Sequence, residues 1–104
     1  MLPPPSPPLL DEHFAAHVAE LFRAFSDTSR VRILSSILGE EKNVSTLARL
    51  VGISESGVSH HLRSLRQMHI VIARRDGKEV YYQVVDEHII ALFQQVVNHV
   101  RHGN

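Results

Sequence analysis

Asp86, His88, His99 and His102 lie within the stretch VVDEHIIALFQQVVNHVRH, residues 84–102. One carboxylate and three imidazoles are the donors that hold zinc or cobalt in a closed tetrahedral shell. Cysteine is absent from the 104 residues, so no disulfide framework, thiolate metal site or thiol redox switch is available. Any metal must be held by His, Asp or Glu, which favours zinc, cobalt or nickel over soft copper(I) or trivalent arsenic.

The spacing of these four residues fixes what they can do together. At about 100° per residue, His88, His99 and His102 fall near 200°, 220° and 160° from Asp86, on one stripe of a helix. His88 and His99 are roughly 16 Å apart along the axis, whereas zinc–nitrogen bonds are only about 2.0–2.1 Å. A single straight helix therefore cannot bring both ends to one ion. Two copies packed antiparallel across a two-fold axis can, with Asp86 and His88 of one meeting His99 and His102 of the other. On spacing alone a bland alternative stands beside this one: a solvated helix end, with His102 a cation favoured at the C-terminus and His88 bonded to backbone. Ile89, Ile90, Phe93, Val96, Val97 and Val100 fill another arc of the same helix, suited to the core and to a partner.

The elements that must position these residues read as α-α-α-α-β-β-α. The first ten residues, MLPPPSPPLL, contain all five prolines and suggest a disordered or extended tail, with one domain over residues 11–104. That tail lacks the basic start and unbroken apolar run of a signal peptide, and nothing approaches the roughly 18 consecutive apolar residues of a membrane span. A cytoplasmic location without a membrane partner is the expectation. Phe14, Val18, Leu21, Phe22 and Phe25 share one face of a first helix. SDTSRVRILSSILG reads as a second, capped by Ser26 or Asp27 and closed by Gly39. NVSTLARLVGISESGVSHHLRSLRQM gives two short helices broken at Gly52, and IVIARRDGKEVYYQVV gives two strands around an Asp76-Gly77 turn.

The middle of the chain carries a second chemistry. Net charge is zero overall, but residues 42–82 hold seven basic side chains against three acidic ones. A local basic face on a neutral protein can bind nucleic acid. Ala48 is small where two helices must cross, and Gly52 can take the positive φ of a tight turn. Leu47, Val51, Ile53, Val58 and Leu62 fall between the two helices. Ser54 can cap the second one, and Ser54, Ser56, Ser59, His60 and Arg63 are candidate contacts to bases and phosphates. The hairpin then forms a wing, with Arg74, Arg75 and Lys78 near its tip for phosphate or minor-groove contact. The expected fold is mainly α with a β-hairpin wing: a winged helix-turn-helix.

From about Phe14 to His102 the sequence resembles the ArsR/SmtB family of small, dimeric, metal-sensing transcriptional repressors. LFRAFSDTSRVRIL, LARLVGISESGVSHHLRSL, ARRDGKEVYYQV and the terminal DEH and HVRH carry the resemblance. It implies a homodimer that binds double-stranded operator DNA without metal and releases it when metal binds, freeing efflux or sequestration genes. The pattern at Asp86, His88, His99 and His102 resembles the terminal-helix site of the zinc- and cobalt-responsive branch. Two departures stand out. Soft-metal members carry cysteines around the third helix, where this chain reads KNVSTLARL. Glu55 and His61 occupy recognition-helix positions where polar amides are frequent, which bears on the operator sequence.

Three further histidines stand outside that pattern. His13 and His17, at i and i+4, form a common helical metal pair. By analogy with relatives that recruit N-terminal ligands for nickel or cobalt, either can join the terminal site; the alternative is a solvated helix flank. His69 can link the metal histidines to the DNA-binding unit or serve packing alone. An enzyme is not expected. Four protein ligands leave a metal no open position, and no nucleophile–base constellation is present.

Overall fold

In the computed structural model, which describes residues 8–103, all five helices start on a short polar side chain that accepts an otherwise orphaned amide. Asp11 caps α1 (Glu12–Arg23), Asp27 caps α2 (Thr28–Ser36) and Asn43 caps α3 (Val44–Val51). Ser54 caps α4 (Glu55–Gln67) and Asp86 caps α5 (Glu87–His102). Residues 1–7 of the expected proline-rich tail lie outside the described residues; residues 8–10 are exposed and form no regular element.

The expected hairpin is present as β2 (Ile72–Asp76) and β3 (Glu79–Gln83), joined through Gly77 at φ 63°. A third strand was not anticipated. β1 (Lys42–Asn43) pairs antiparallel with β3, Lys42 opposite Tyr82 and Asn43 opposite Tyr81, giving the order β1-β3-β2. The end of α2 also differs from expectation, because the helix stops at Ser36 and not at Gly39. Sheet pairing claims the intervening backbone. The Val84 amide donates to the Ile37 carbonyl at 2.9 Å, the Gly39 amide to the Val84 carbonyl at 3.1 Å, and Leu38 forms a parallel bridge with Val84.

The core is built by α2, α3, α4 and the segments flanking the sheet. Ile33, Leu34, Ile37, Leu47, Val58, Leu62, Leu65 and Val84 are completely buried there. The two outer helices differ. α1 buries none of its residues, and of the expected apolar face only Leu21 and, beyond the helix, Phe25 pack against the core. Phe14 and Phe22 are 55% and 57% exposed. α5 is anchored by Phe93, whose ring meets Phe25 edge-on at 6.1 Å between centroids. The radius of gyration, 16.0 Å, exceeds the ~13 Å of a compact chain near this length, in keeping with these thinly covered helices.

Candidate DNA-binding face and metal centre

The helix-turn-helix is set by two local devices. Gly52 closes α3 in the left-handed region at φ 80°, its amide donating to the Ala48 carbonyl at 2.8 Å. A side chain there would be strained, so glycine at the turn follows from the backbone. Two residues later the Ser54 hydroxyl accepts from the Gly57 amide at 3.0 Å and lies 3.2 Å from the Ser56 hydroxyl. Leu47 and Val51 of α3 and Val58 and Leu62 of α4 are buried, with Ile53 half-buried between the helices. The opposite side of α4 presents Ser56, His60 and Arg63 to solvent, with Ser59 half-buried and Ser54 exposed at the helix start. Glu55 is exposed on the first turn beside them.

His61 does not face outward. Its Nδ1 accepts from the Arg30 Nε at 3.1 Å, and its Nε2 stands 3.6 Å from an Asp27 carboxylate oxygen. An acceptor at Nδ1 places the proton of the neutral ring on Nε2, toward Asp27. Burial pushes the His61 pKa below its ordinary value, against the pull of Asp27 and with help from the charges of Arg30 and His60. The histidine thus braces the recognition helix against the start of α2.

The wing splits the basic residues expected at its tip. Arg75 and Lys78 are exposed, as the sequence implied. Arg74 is exposed as well but engaged across the surface: its Nε and an Nη donate to the two carboxylate oxygens of Glu41 at 3.0 and 2.6 Å. Its guanidinium lies 5.0 Å from the centroid of the Tyr81 ring. The hydrogen bond from Arg74 holds the Glu41 carboxyl below its ordinary pKa, and the same bond raises that of Arg74. Lys42 is occupied as well, donating to the Ser36 carbonyl.

On α5, Asp86 caps the helix and stands beside His88, the other candidate ligand at this end. One carboxylate oxygen accepts from the amides of His88 and Ile89 at 2.8 and 3.1 Å and stands 3.6 Å from His88 Nδ1. Two donors of a tetrahedral shell with 2.0–2.1 Å bonds are about 3.3 Å apart, so this pair needs little movement to share an ion. His99 and His102 are exposed at the far end of the helix, and the Gly103 amide donates to the His99 carbonyl at 2.6 Å. A side chain at position 103 would press on that carbonyl and on the imidazole, so glycine leaves room for the ring. Within one chain no three His, Asp or Glu groups converge among the described residues, and the two pairs remain at opposite ends of α5. Val96, between those ends, and Val100, within the C-terminal pair, are 53% and 69% exposed.

His13 and His17 do come together, their rings edge-on at 4.8 Å between centroids, and both are exposed on α1. His17 also lines a cavity of about 660 Å³ with His69, Glu20 and Arg30, a neighbourhood the sequence reading did not anticipate. His69 closes α4 in the left-handed region at φ 61°.

Residues 27–73, from the α2 cap into β2, match the family described as bacterial regulatory protein, arsR family. The chain is 40% identical over 90 residues to the transcriptional repressor SmtB homolog of Synechocystis sp., an alignment covering 86% of this chain and 68% of that protein. The chain belongs to the ArsR family. A cadmium resistance transcriptional regulatory protein CadC homolog of Staphylococcus aureus is 39% identical over 85 residues, covering 81% of this chain and 70% of that one. Among solved structures, the homodimeric winged helix-turn-helix DNA-binding domain of a possible ArsR-family regulator from Mycobacterium bovis superposes with a TM-score of 0.79. It is 26% identical and covers 95% of this chain and 94% of that one.

As an ArsR-family member the chain is a DNA-binding transcriptional regulator and not an enzyme. Among the described residues no helix is long and apolar enough to cross a membrane. Two contacts escaped sequence reasoning: Arg74 with Glu41 and His61 with Arg30, each joining residues more than thirty positions apart. No local signal marks either pair.

Proposed function

We propose that this ArsR-family regulator is a metal-responsive repressor whose homodimer binds operator DNA in the metal-free state and loses affinity when zinc or cobalt binds. One observation carries the reading. Asp86 and His88 at the start of α5, and His99 and His102 at its end, share the helix with the exposed Val96 between the pairs and Val100 within the second. Covering those valines with the same helix of a second copy, antiparallel, brings Asp86 and His88 against His99 and His102 of the partner subunit. Symmetry then makes two equivalent sites. The donor set, one carboxylate and three imidazoles, suits zinc or cobalt, with nickel the alternative if His13 or His17 joins it. The relatives' printed roles, transcriptional repression and cadmium resistance, support a metal signal without naming this chain's metal.

On DNA, the two α4 helices of the dimer enter successive major grooves, with Ser54, Ser56, Ser59, His60 and Arg63 as contacts and Arg75 and Lys78 on phosphates. A bound ion ties the ends of the two α5 helices and favours a dimer geometry that presents the α4 pair poorly. By linkage, DNA weakens metal binding by the same factor that metal weakens DNA binding. A typical coupling of about 1–3 kcal/mol corresponds to roughly 5–150-fold, enough to clear a promoter.

The test is a cobalt(II) titration of the purified dimer followed by visible absorption, on the wild type and on His99→Gln. Intense bands saturating at one ion per subunit, absent in the variant, are the expected result. Weak bands would mean a six-coordinate shell and direct attention to His13, His17 and nickel. No binding would leave a winged-helix regulator answering a different signal. His99→Gln should keep operator affinity while losing the metal response; loss of DNA binding in that variant counts against the scheme.

A further inference from the structure

The wing of this regulator carries three arginine or lysine side chains, but the sheet divides them. Side chains alternate across a strand, so Arg74 and Arg75 point to opposite faces. Ala73 stands opposite Tyr82, which packs against the core, and Arg75 follows on that same face toward the tip. Arg74 stands opposite Tyr81 on the outer face. From there its guanidinium passes over the Tyr81 ring toward β1 and away from the turn at Gly77, and its fork closes on both oxygens of Glu41. A carboxylate bound in this bidentate way occupies the geometry a phosphate would use. A second carboxylate, Asp76, lies 4.0 Å from the same guanidinium.

We propose that Glu41 is a positioning residue that withholds Arg74 from DNA, so that each wing presents two phosphate-binding cations, Arg75 and Lys78, and not three. The proposal rests on the operator-binding reading and deepens it. Glu41 immediately precedes β1, so it also ties the outer face of the hairpin to the strand that the helix-turn-helix grows from. Arg74 serves the aim of the wing, and the two free cations serve its grip.

Salt dependence separates the roles. Each phosphate contact adds about 0.9 to the slope of log affinity against log salt, so a residue used in both subunits contributes about 1.8. The DNA is a duplex enriched from a random-sequence library by binding to the wild-type protein, titrated over a range of salt. Failure to enrich any duplex would sink the operator reading itself and is seen before any variant is made. With a duplex in hand, Arg75→Gln and Lys78→Gln should each flatten the slope by about 1.8 while Arg74→Gln leaves it unchanged. A flattening in Arg74→Gln equal to that in Arg75→Gln overturns the proposal. Glu41→Gln should steepen the slope in the wild-type background and have no effect beside Arg74→Gln, since its action runs through the arginine. Steepening in both backgrounds would show that Glu41 acts only by its own charge, and a flat response in both would show that it withholds nothing.

Discussion

α4 and α5 are both amphipathic helices of similar length, 13 and 16 residues, yet they finish their packing differently. α4 buries Val58, Leu62 and Leu65 completely within its own chain and turns a polar face outward. α5 buries Phe93 and leaves Val96 and Val100 in solvent, on the same helix as the two pairs of candidate ligands. The DNA-reading half is therefore complete in one chain, whereas α5 has exposed apolar surface and candidate ligands that, in the proposed dimer, a second chain completes. In the proposed function, this difference is the physical basis for coupling. A signal that changes how two α5 helices meet moves two finished reading heads as rigid bodies, without remodelling either.

Breaking that comparison at its widest point gives the largest expected effect. Val96→Asp with Val100→Asp places charges where the partner helix would lie. The variant should run as a monomer in sedimentation while keeping the wild-type helix content, because the core around α4 does not depend on α5's exposed stripe. Operator affinity should fall about 10²–10⁴-fold as the two half-site contacts lose their linkage. A variant that stays dimeric would move the subunit interface elsewhere, and one that unfolds would show that α4 is not self-sufficient.

A narrower cut separates the cap formed by Asp86 from its proposed role as a ligand. Asparagine caps a helix as well as aspartate does but is a poor metal ligand, while alanine does neither. Asp86→Asn should keep the midpoint of urea unfolding and lose cobalt binding. Asp86→Ala should lose both, with a stability cost of about 0.5–2 kcal/mol. Full cobalt binding by the asparagine variant would remove Asp86 from the ligand set and leave it as a cap alone.

These contrasts also explain what could be read in advance. Gly52, the Ser54 cap and the Asp76-Gly77 turn are local backbone requirements written in residue type, so the helix-turn-helix and its wing were legible. The placement of Asp86, His88, His99 and His102 at the two ends of one helix was legible because a helix converts sequence separation into angle and distance. β1 was not, since Lys42 and Asn43 have no strand pattern and become a strand only by meeting Tyr82 and Tyr81. The early end of α2 has the same origin in Val84. Arg74 reads as a wing cation until Glu41, thirty-three residues away, is folded against it. His61 reads as a recognition-helix residue that bears on the operator sequence until Arg30 reaches it.

A smaller effect is expected at the end of α4, where His69 occupies a left-handed position at φ 61°. Its amide and that of Ile70 close the helix on the Arg66 and Leu65 carbonyls, each at 3.0 Å. Glycine fills such a position without the Cβ penalty, so His69→Gly should gain up to about 1 kcal/mol in urea unfolding. A loss in place of a gain would mean that the imidazole, on the wall shared with His17 and Glu20, makes a contact worth more than the strain.

The smallest expected effect tests whether α4 is as self-contained as its burial suggests, because His61 is its polar tie to α2. Burial holds the folded-state pKa of His61 below the unfolded value, and the charges of Arg30 and His60 add to this while Asp27 opposes it. A depressed pKa means that the folded state favours the neutral ring. The contribution is therefore present above the unfolded value of about 6.5 and is lost as pH falls from there through the lower folded value. Protonation also removes the Nδ1 acceptor that Arg30 uses. His61→Gln keeps an acceptor but does not titrate. Urea midpoints of wild type and variant should differ least in mildly acidic buffer and most at neutral pH, with the wild type losing ground on acidification. If the wild type instead gains on the variant as pH falls, the Asp27 contact at 3.6 Å outweighs burial, and the brace is an ion pair in place of a neutral hydrogen bond.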